Sequence, residues 1–219
     1  TEATHIIVHI PKTGGTALNQ WIDYQHNMHR CNQIRTAHTH YLNAKTAVSM
    51  GYQPITIIRD PIERFQSSFY YWKHGSKDIK SWQRKATWTK ANHINTPNDL
   101  IDILRDKKHP LHQKTIQDIF ERDDFTHRHH FLAQNQWISG EQEKTIIICY
   151  DKKKLTKNIH EAFKQHKIVC PIDDMPMINQ SNIPQTQELT QSSIAWIQTI
   201  YAQDMALWKK HCSKQQEKD

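Results

Sequence analysis

The chain has 219 residues and a mass of 26.0 kDa, a length that one hydrophobic core can bury, so a second independently folding domain is not expected. Hydrophobic residues make up 37% and glycines number only 5, below the roughly 45–50% apolar share of globular chains, which points to a compact core with polar insertions. Lys and Arg exceed Asp and Glu by 29 to 22, a net charge of +7, and 16 histidines add charge as the pH falls toward about 6.5; anionic ligands are the natural expectation.

In chain order, Ile6-Ile7-Val8-His9-Ile10 is an apolar, β-branched run that stops at Pro11, as a buried strand would. Lys12-Thr13-Gly14-Gly15-Thr16 follows, then Ala17, Leu18, Trp21 and Ile22 at helical spacing. A second such unit starts with Pro54-Ile55-Thr56-Ile57-Ile58, ends in Arg59-Asp60-Pro61 and enters an aromatic helical stretch from Phe65 to Trp72. Pro61 suits a first helical turn, where a missing N–H is harmless. Asn98 to Arg105 reads as a capped helix, and Thr115 to Phe120 and Phe131 to Ile138 as two more. A third strand, Thr145 to Tyr150, precedes a helix with Leu155, Ile159 and Phe163 on one face. Leu189, Ile194, Ile197, Tyr201, Met205 and Trp208 predict one long amphipathic helix, and the tail 214–219 is polar. Strands alternating with helices imply an α/β fold with a central parallel sheet covered on both sides, in one domain spanning 1–213.

Residues 73–95 differ from the rest. Lys73, Lys77, Lys80, Arg84, Lys85 and Lys90 face a single acid, Asp78, with Trp82 and Trp88 between them, the composition of an exposed basic insertion. Cys31, Cys149, Cys170 and Cys212 are widely spaced with no CxxC pair, and read as free thiols in preference to disulfides. No run reaches the roughly 18 apolar residues of a membrane helix, so the chain reads as soluble. His127, His129 and His130 lack a Cys or acidic partner at zinc-ligand spacing and read as a solvated cluster.

A glycine turn between a buried strand and a helix aims several backbone N–H groups at one spot, with the helix dipole behind them. Thr13 to Thr16 is placed to cradle an anion in this way, and Lys12 can add a mobile charge. The lysine precedes the glycines, so this is not the nucleotide-triphosphate loop GxxxxGK[ST]. In a parallel sheet the carboxyl ends of adjacent strands share a crevice, which would set Arg59 beside that loop, with Ser67 two helical turns later.

Pro11-Lys12-Thr13-Gly14-Gly15-Thr16 resembles the phosphosulfate loop of the sulfotransferases that use 3'-phosphoadenosine 5'-phosphosulfate (PAPS), and Arg59 with Ser67 resembles their 3'-phosphate site. Arg59-Asp60-Pro61-Ile62-Glu63-Arg64 looks especially like the carbohydrate sulfotransferases of the heparan sulfate 2-O type. Ala37-His38-Thr39-His40-Tyr41 is similar to their His-Gly-His stretch, with Thr39 in the glycine's place. The resemblance covers residues 6–72 and implies a P-loop-like sulfotransferase fold, PAPS as donor and PAP as product. It implies His40 as general base, with His38 second, Lys12 at the bridging oxygen, the amides of Thr13, Gly14, Gly15 and Thr16 at the 5'-phosphate, and Arg59 and Ser67 at the 3'-phosphate. It also assigns Ser181, in the loop 179–182, to the nucleotide.

Sulfuryl transfer needs an in-line displacement, a base for the hydroxyl proton and charge stabilisation at the leaving oxygen. No metal is implied, since lysine and amides hold the leaving group. The acceptor would be a carbohydrate hydroxyl, with Trp72 stacking on sugar and Lys80, Arg84 and Lys85 drawing an acidic polysaccharide; no nucleic acid is expected. The chain would be cytoplasmic if complete, or the luminal part of a Golgi-type enzyme if an anchor precedes it. Two other readings compete: a small P-loop kinase, which would need magnesium and an acid such as Asp60, and a non-catalytic polyanion or nucleic-acid binder, which leaves the coincidence of Lys12, Gly14, Gly15, Arg59 and Ser67 unexplained.

Overall fold

In the computed structural model, which describes residues 2–74, 94–121, 128–172, 175 and 188–213, the three apolar runs become strands β1 (His5–Ile7), β3 (Gln53–Ile58) and β4 (Ile146–Cys149). Ile34–Arg35 adds a short β2. The helices are α1 (Gly15–Asn27), α2 (Ala44–Ser49), α3 (Pro61–His74), α4 (Pro97–Arg105), α5 (His112–Ile116), α6 (Arg128–Phe131), α7 (Asn135–Ile138), α8 (Leu155–Gln165), α9 (Gln191–Ile200) and α10 (Ala202–Cys212). Among the described residues no helix is long and apolar enough to cross a membrane. The chain forms two compact units, one of Thr1–Asp60, Ala133–Ile178 and Gln203–Asp219, the other of Pro61–Leu132 and Asn179–Ala202.

The first unit holds the sheet. Its strand order is β2-β1-β3-β4 with every neighbour parallel, as the alternation of strands and helices predicts. His5 stands beside Ile34 on one side and Gln53 on the other, and Ile55 beside Ile146. Ile7, Ile55, Ile57, Ile146 and Ile148 share a core with Leu18, Trp21 and Ile22 of α1 and Leu155, Ile159 and Phe163 of α8. Each such side chain, fully buried, contributes roughly 1.5–3 kcal/mol. Pro54, Thr56 and Ile58 alternate with Ile55 and Ile57 and are buried too, so β3 is buried on both faces, as a strand covered on both sides must be. From β1 the chain crosses to β2 and then returns past β1 to β3. The topological switch point therefore lies between the carboxyl ends of β1 and β3, where open α/β sheets bind ligands.

The cysteines correct the free-thiol expectation. Cys31 pairs with Cys170 and Cys149 with Cys212, across 139 and 63 residues. Such separations carry no local signature; tertiary structure brings the partners together. The segment after α8 is tied to α1 and to the segment that follows it by two further bonds, Trp21 Nε1–H donating to the Pro171 carbonyl (2.7 Å) and the Val169 amide donating to Gln33 Oε1 (2.7 Å).

The predicted C-terminal helix is also corrected, because it breaks at Tyr201 into α9 and α10. The hydrophobic spacing is continuous, yet its two halves serve different cores. Ile197 and Tyr201 are buried in the second unit, whereas Asp204, Leu207 and Trp208 are buried in the first. The helix expected over 131–138 is likewise interrupted, since Asp204 takes the amides of Gln134 and Asn135 at the start of α7.

The second unit is helical. Phe65 of α3 meets Phe131, Trp196 and Tyr201 edge-on at ring separations of 5.5, 6.0 and 6.3 Å. Arg64 is buried and donates to the carbonyls of Leu132 (2.8 Å) and His129 (3.4 Å), while Ser68 donates to that of His130 (2.7 Å). Thr96 and Asp99 form a reciprocal capping box ahead of α4.

Candidate active site

The loop after β1 is built by backbone conformations that few residues adopt. Lys12 has φ 67° and Gly14 φ 90°, both in the left-handed region that costs a non-glycine residue about 1–2 kcal/mol. A β-carbon on Gly14 would also stand 3.1 Å from Leu155 Cδ2 and 3.2 Å from the Tyr150 ring. One on Gly15 would collide with the imidazole of His9. Thr13 is buried with its hydroxyl donating to the Ile10 carbonyl at 2.8 Å, which anchors the turn and leaves its role toward an anion to the backbone. Gly14 then caps α1, whose first amides have no partner inside the helix and point their dipole toward the loop.

Arg59 follows directly on β3, across the switch point. Its guanidinium carbon lies 4.5 Å above the centre of the Tyr150 ring, and Nη1 donates to the Lys12 carbonyl at 3.5 Å. The expected neighbourhood of Arg59 and the glycine loop is thus present. The backbone of Arg59 is held by the side-chain amide of Gln134, which accepts from its N–H and donates to its C=O, each at 2.8 Å.

Three histidines gather beside the loop. His40 directs Nδ1 at the carbonyl of His9 (3.3 Å), and the two rings lie 4.4 Å apart. A carbonyl only accepts, so Nδ1 carries the proton and the lone pair of neutral His40 is on Nε2. The indole of Trp137 donates to the His40 carbonyl at 2.9 Å. His9 is 8% exposed and its pKa is pushed down to about 3, chiefly by burial and then by the charges of His40 and His38; it is neutral at physiological pH, with Nε2 3.4 Å from the Thr16 hydroxyl. His38 is 61% exposed and meets Asp23 of α1 through Nε2 at 2.6 Å, and Thr36 donates to the other carboxylate oxygen at 2.6 Å.

The remaining sequence candidates belong to the second unit or lie outside the described residues. Ser67 lies on α3 in the second unit and is partly buried. Trp72, on the same helix, is 7% exposed and packs against Phe69, the environment of a core tryptophan. Ser181, Lys80, Arg84 and Lys85 lie outside the described residues. Among the described residues, no group of three or more His, Cys, Asp or Glu side chains is arranged to hold a metal ion. Sequence reasoning passed over His9, Asp23, Gln134, Trp137 and Tyr150. A histidine inside an otherwise apolar strand end was a signal for His9; the others become neighbours of the loop only through the fold.

No curated protein and no solved structure matches the chain significantly. A model of the sulfotransferase family does match it, over residues 3–211. That span includes the glycine loop, the histidine cluster and Arg59, and the chain belongs to the sulfotransferase family.

Proposed function

We propose that the chain moves the sulfuryl group of PAPS to a hydroxyl of a carbohydrate acceptor. The observation that carries this reading is the meeting, at the switch point of one sheet, of an anion-shaped loop, an arginine and a histidine. Arg59 reaches the Lys12 carbonyl while His40 rests on His9, the residue that walls the same loop. The donor set suits a nucleotide with two phosphate sites: the backbone amides of the glycine loop at the start of α1 serve one anion, and Arg59 offers paired N–H donors to a second phosphate.

In this reading the amides of Thr13 to Thr16 hold the 5'-phosphate, and Arg59 holds the 3'-phosphate. As the acceptor oxygen bonds to sulfur and the bond from sulfur to the phosphate oxygen breaks, Lys12 neutralises the charge left on that oxygen. His40 takes the acceptor's proton on Nε2, with His38 the second candidate. The net charge of +7 favours an acidic acceptor. Two disulfides support folding in an oxidising compartment, which favours the luminal over the cytoplasmic setting.

Calorimetry with PAP, set against ATP with magnesium, tests the reading. Tight metal-independent PAP binding is the expected result; preference for magnesium-ATP would replace it with a phosphotransferase, and indifference to Lys12→Ala would favour a polyanion binder. Mass spectrometry of carbohydrate panels incubated with PAPS identifies the acceptor.

A further inference from the structure

We propose that Gln134, Trp137 and Asp204 form a positioning strut that holds Arg59 and His40 in one frame. The inference rests on the functional reading above for its consequences, though not for its geometry. β4 pairs with one edge of β3 to the very end, where the Tyr150 amide donates to the Ile58 carbonyl at 2.7 Å. Backbone groups alternate along a strand, so the N–H and C=O of Arg59 point to the opposite edge. There β1 has already turned away: its last rungs are Ile7 beside Ile55 and the Val8 amide on the Ile55 carbonyl, and Pro11 starts the loop. Strand pairing would leave both groups of Arg59 unmet at the place where its side chain must be aimed.

The carboxamide of Gln134 takes the place of the missing strand. It has the donor and acceptor of a peptide group, and it makes both bonds to Arg59 at 2.8 Å from a position 1% exposed. Its own backbone is fixed in turn. Asp204, also 1% exposed, accepts from the amides of Gln134 (2.7 Å) and Asn135 (2.8 Å), one with each carboxylate oxygen. Three residues beyond Gln134, Trp137 donates to the His40 carbonyl. One short turn thus grips the backbone of Arg59 and of His40, 19 positions apart in sequence, by bonds that do not involve the side chains doing the chemistry. Displacement of reacting groups by about 1 Å can cost two orders of magnitude in rate, so a common support for nucleotide clamp and base has a direct catalytic consequence.

The strut predicts separable effects from its two ends. Trp137→Phe keeps an aromatic body and deletes the N–H. It should lower turnover at saturating PAPS by about tenfold or more, with PAP affinity unchanged within about twofold. Gln134→Glu keeps the acceptor and loses the donor unless protonated. It should weaken PAP binding by about tenfold at pH 8 and recover toward the wild-type value, measured at the same pH, as the pH falls to 5.5. Equal losses of turnover and affinity in both variants, which general loosening would give, would overturn the proposal.

Nuclear magnetic resonance of the full chain judges it independently of activity. Trp137→Phe should move the His40 ring signals and spare Arg59 Nε–H, Gln134→Glu the reverse, and Asp204→Asn should move both. If the wild type binds no PAP, the functional reading fails and these spectra still decide on the strut. Unmoved His40 signals in Trp137→Phe or unmoved Arg59 signals in Gln134→Glu would overturn it.

Discussion

The imidazole of His9 occupies the space that a β-carbon on Gly15 would need. His9 is buried, so its ring has little room to retreat, and the pair couples the end of β1 to the first turn of α1. Gly15→Ala is expected to destabilise the fold by about 1–3 kcal/mol through overpacking and to weaken PAP binding. In a His9→Ala background the same alanine should cost less than about 1 kcal/mol. Urea unfolding of the four proteins measures that coupling, and additivity would show that the two sites do not interact.

His9 also sets a pH dependence. Its pKa in the folded chain is about 3, below the unfolded value of about 6.5, so the unfolded state binds the extra proton between these limits. Stability from this group is fully present above pH 6.5 and is lost as the pH falls toward 3, at about 1.4 kcal/mol per unit. Between pH 7.5 and 4.5 the wild type should lose about 2–3 kcal/mol more than His9→Gln. Denaturant unfolding at both pH values checks this, and equal losses would contradict a neutral buried His9.

Arg59 lies over Tyr150 and reaches the Lys12 carbonyl. Lysine keeps the charge and loses both the planar stack and the paired donors. Arg59→Lys should therefore weaken PAP binding by about 10- to 100-fold with little change in melting temperature. Affinity equal to wild type by calorimetry would remove Arg59 from the phosphate site.

His40 and His38 separate by their supports, the first on the His9 carbonyl and the second on Asp23. At saturating PAPS, His40→Ala should lose about 10²- to 10⁴-fold in turnover, and His38→Ala less. The reverse order would move the base to His38; wild-type turnover in both would exclude the pair.

The Cys149–Cys212 bridge closes a loop across 63 residues and ties the end of α10 to β4. Replacing both cysteines by serine should cost about 2–4 kcal/mol, in line with loop-closure entropy. Because Asp204 on the same helix carries the turn at Gln134, the loss should be accompanied by weaker PAP binding. Chemical denaturation and calorimetry of the double variant measure the two effects.

Sequence reasoning located three strands, in the runs Ile6 to Ile10, Pro54 to Ile58 and Thr145 to Tyr150, of which the first is shorter in the fold (His5–Ile7), and placed one helix after the glycine turn and another with Pro61 in its first turn. Those features are local: β-branched runs, a glycine turn and a proline where no N–H is needed act within a few residues. The glycine loop and Arg59 were legible for the same reason, since each sits at the end of its own strand. β2 was missed because two residues, Ile34 and Arg35, make no pattern; they become a strand by pairing with β1.

What the chain alone determined, then, is the alternation of strands and helices and the chemistry each strand end offers. The fold decided which ends meet. Strand order set Arg59 against Lys12, packing drove His9 under Gly15 and kept it neutral, and two segments remote in sequence, around Gln134 and Asp204, became the support of the site. The relations of Arg59 to His40, Lys12, Gln134 and Asp204 span separations of 19 to 145 residues, over which neither periodicity nor propensity carries information. The cysteines make the point most plainly: spacing suggested free thiols, and only the folded chain brings Cys31 to Cys170.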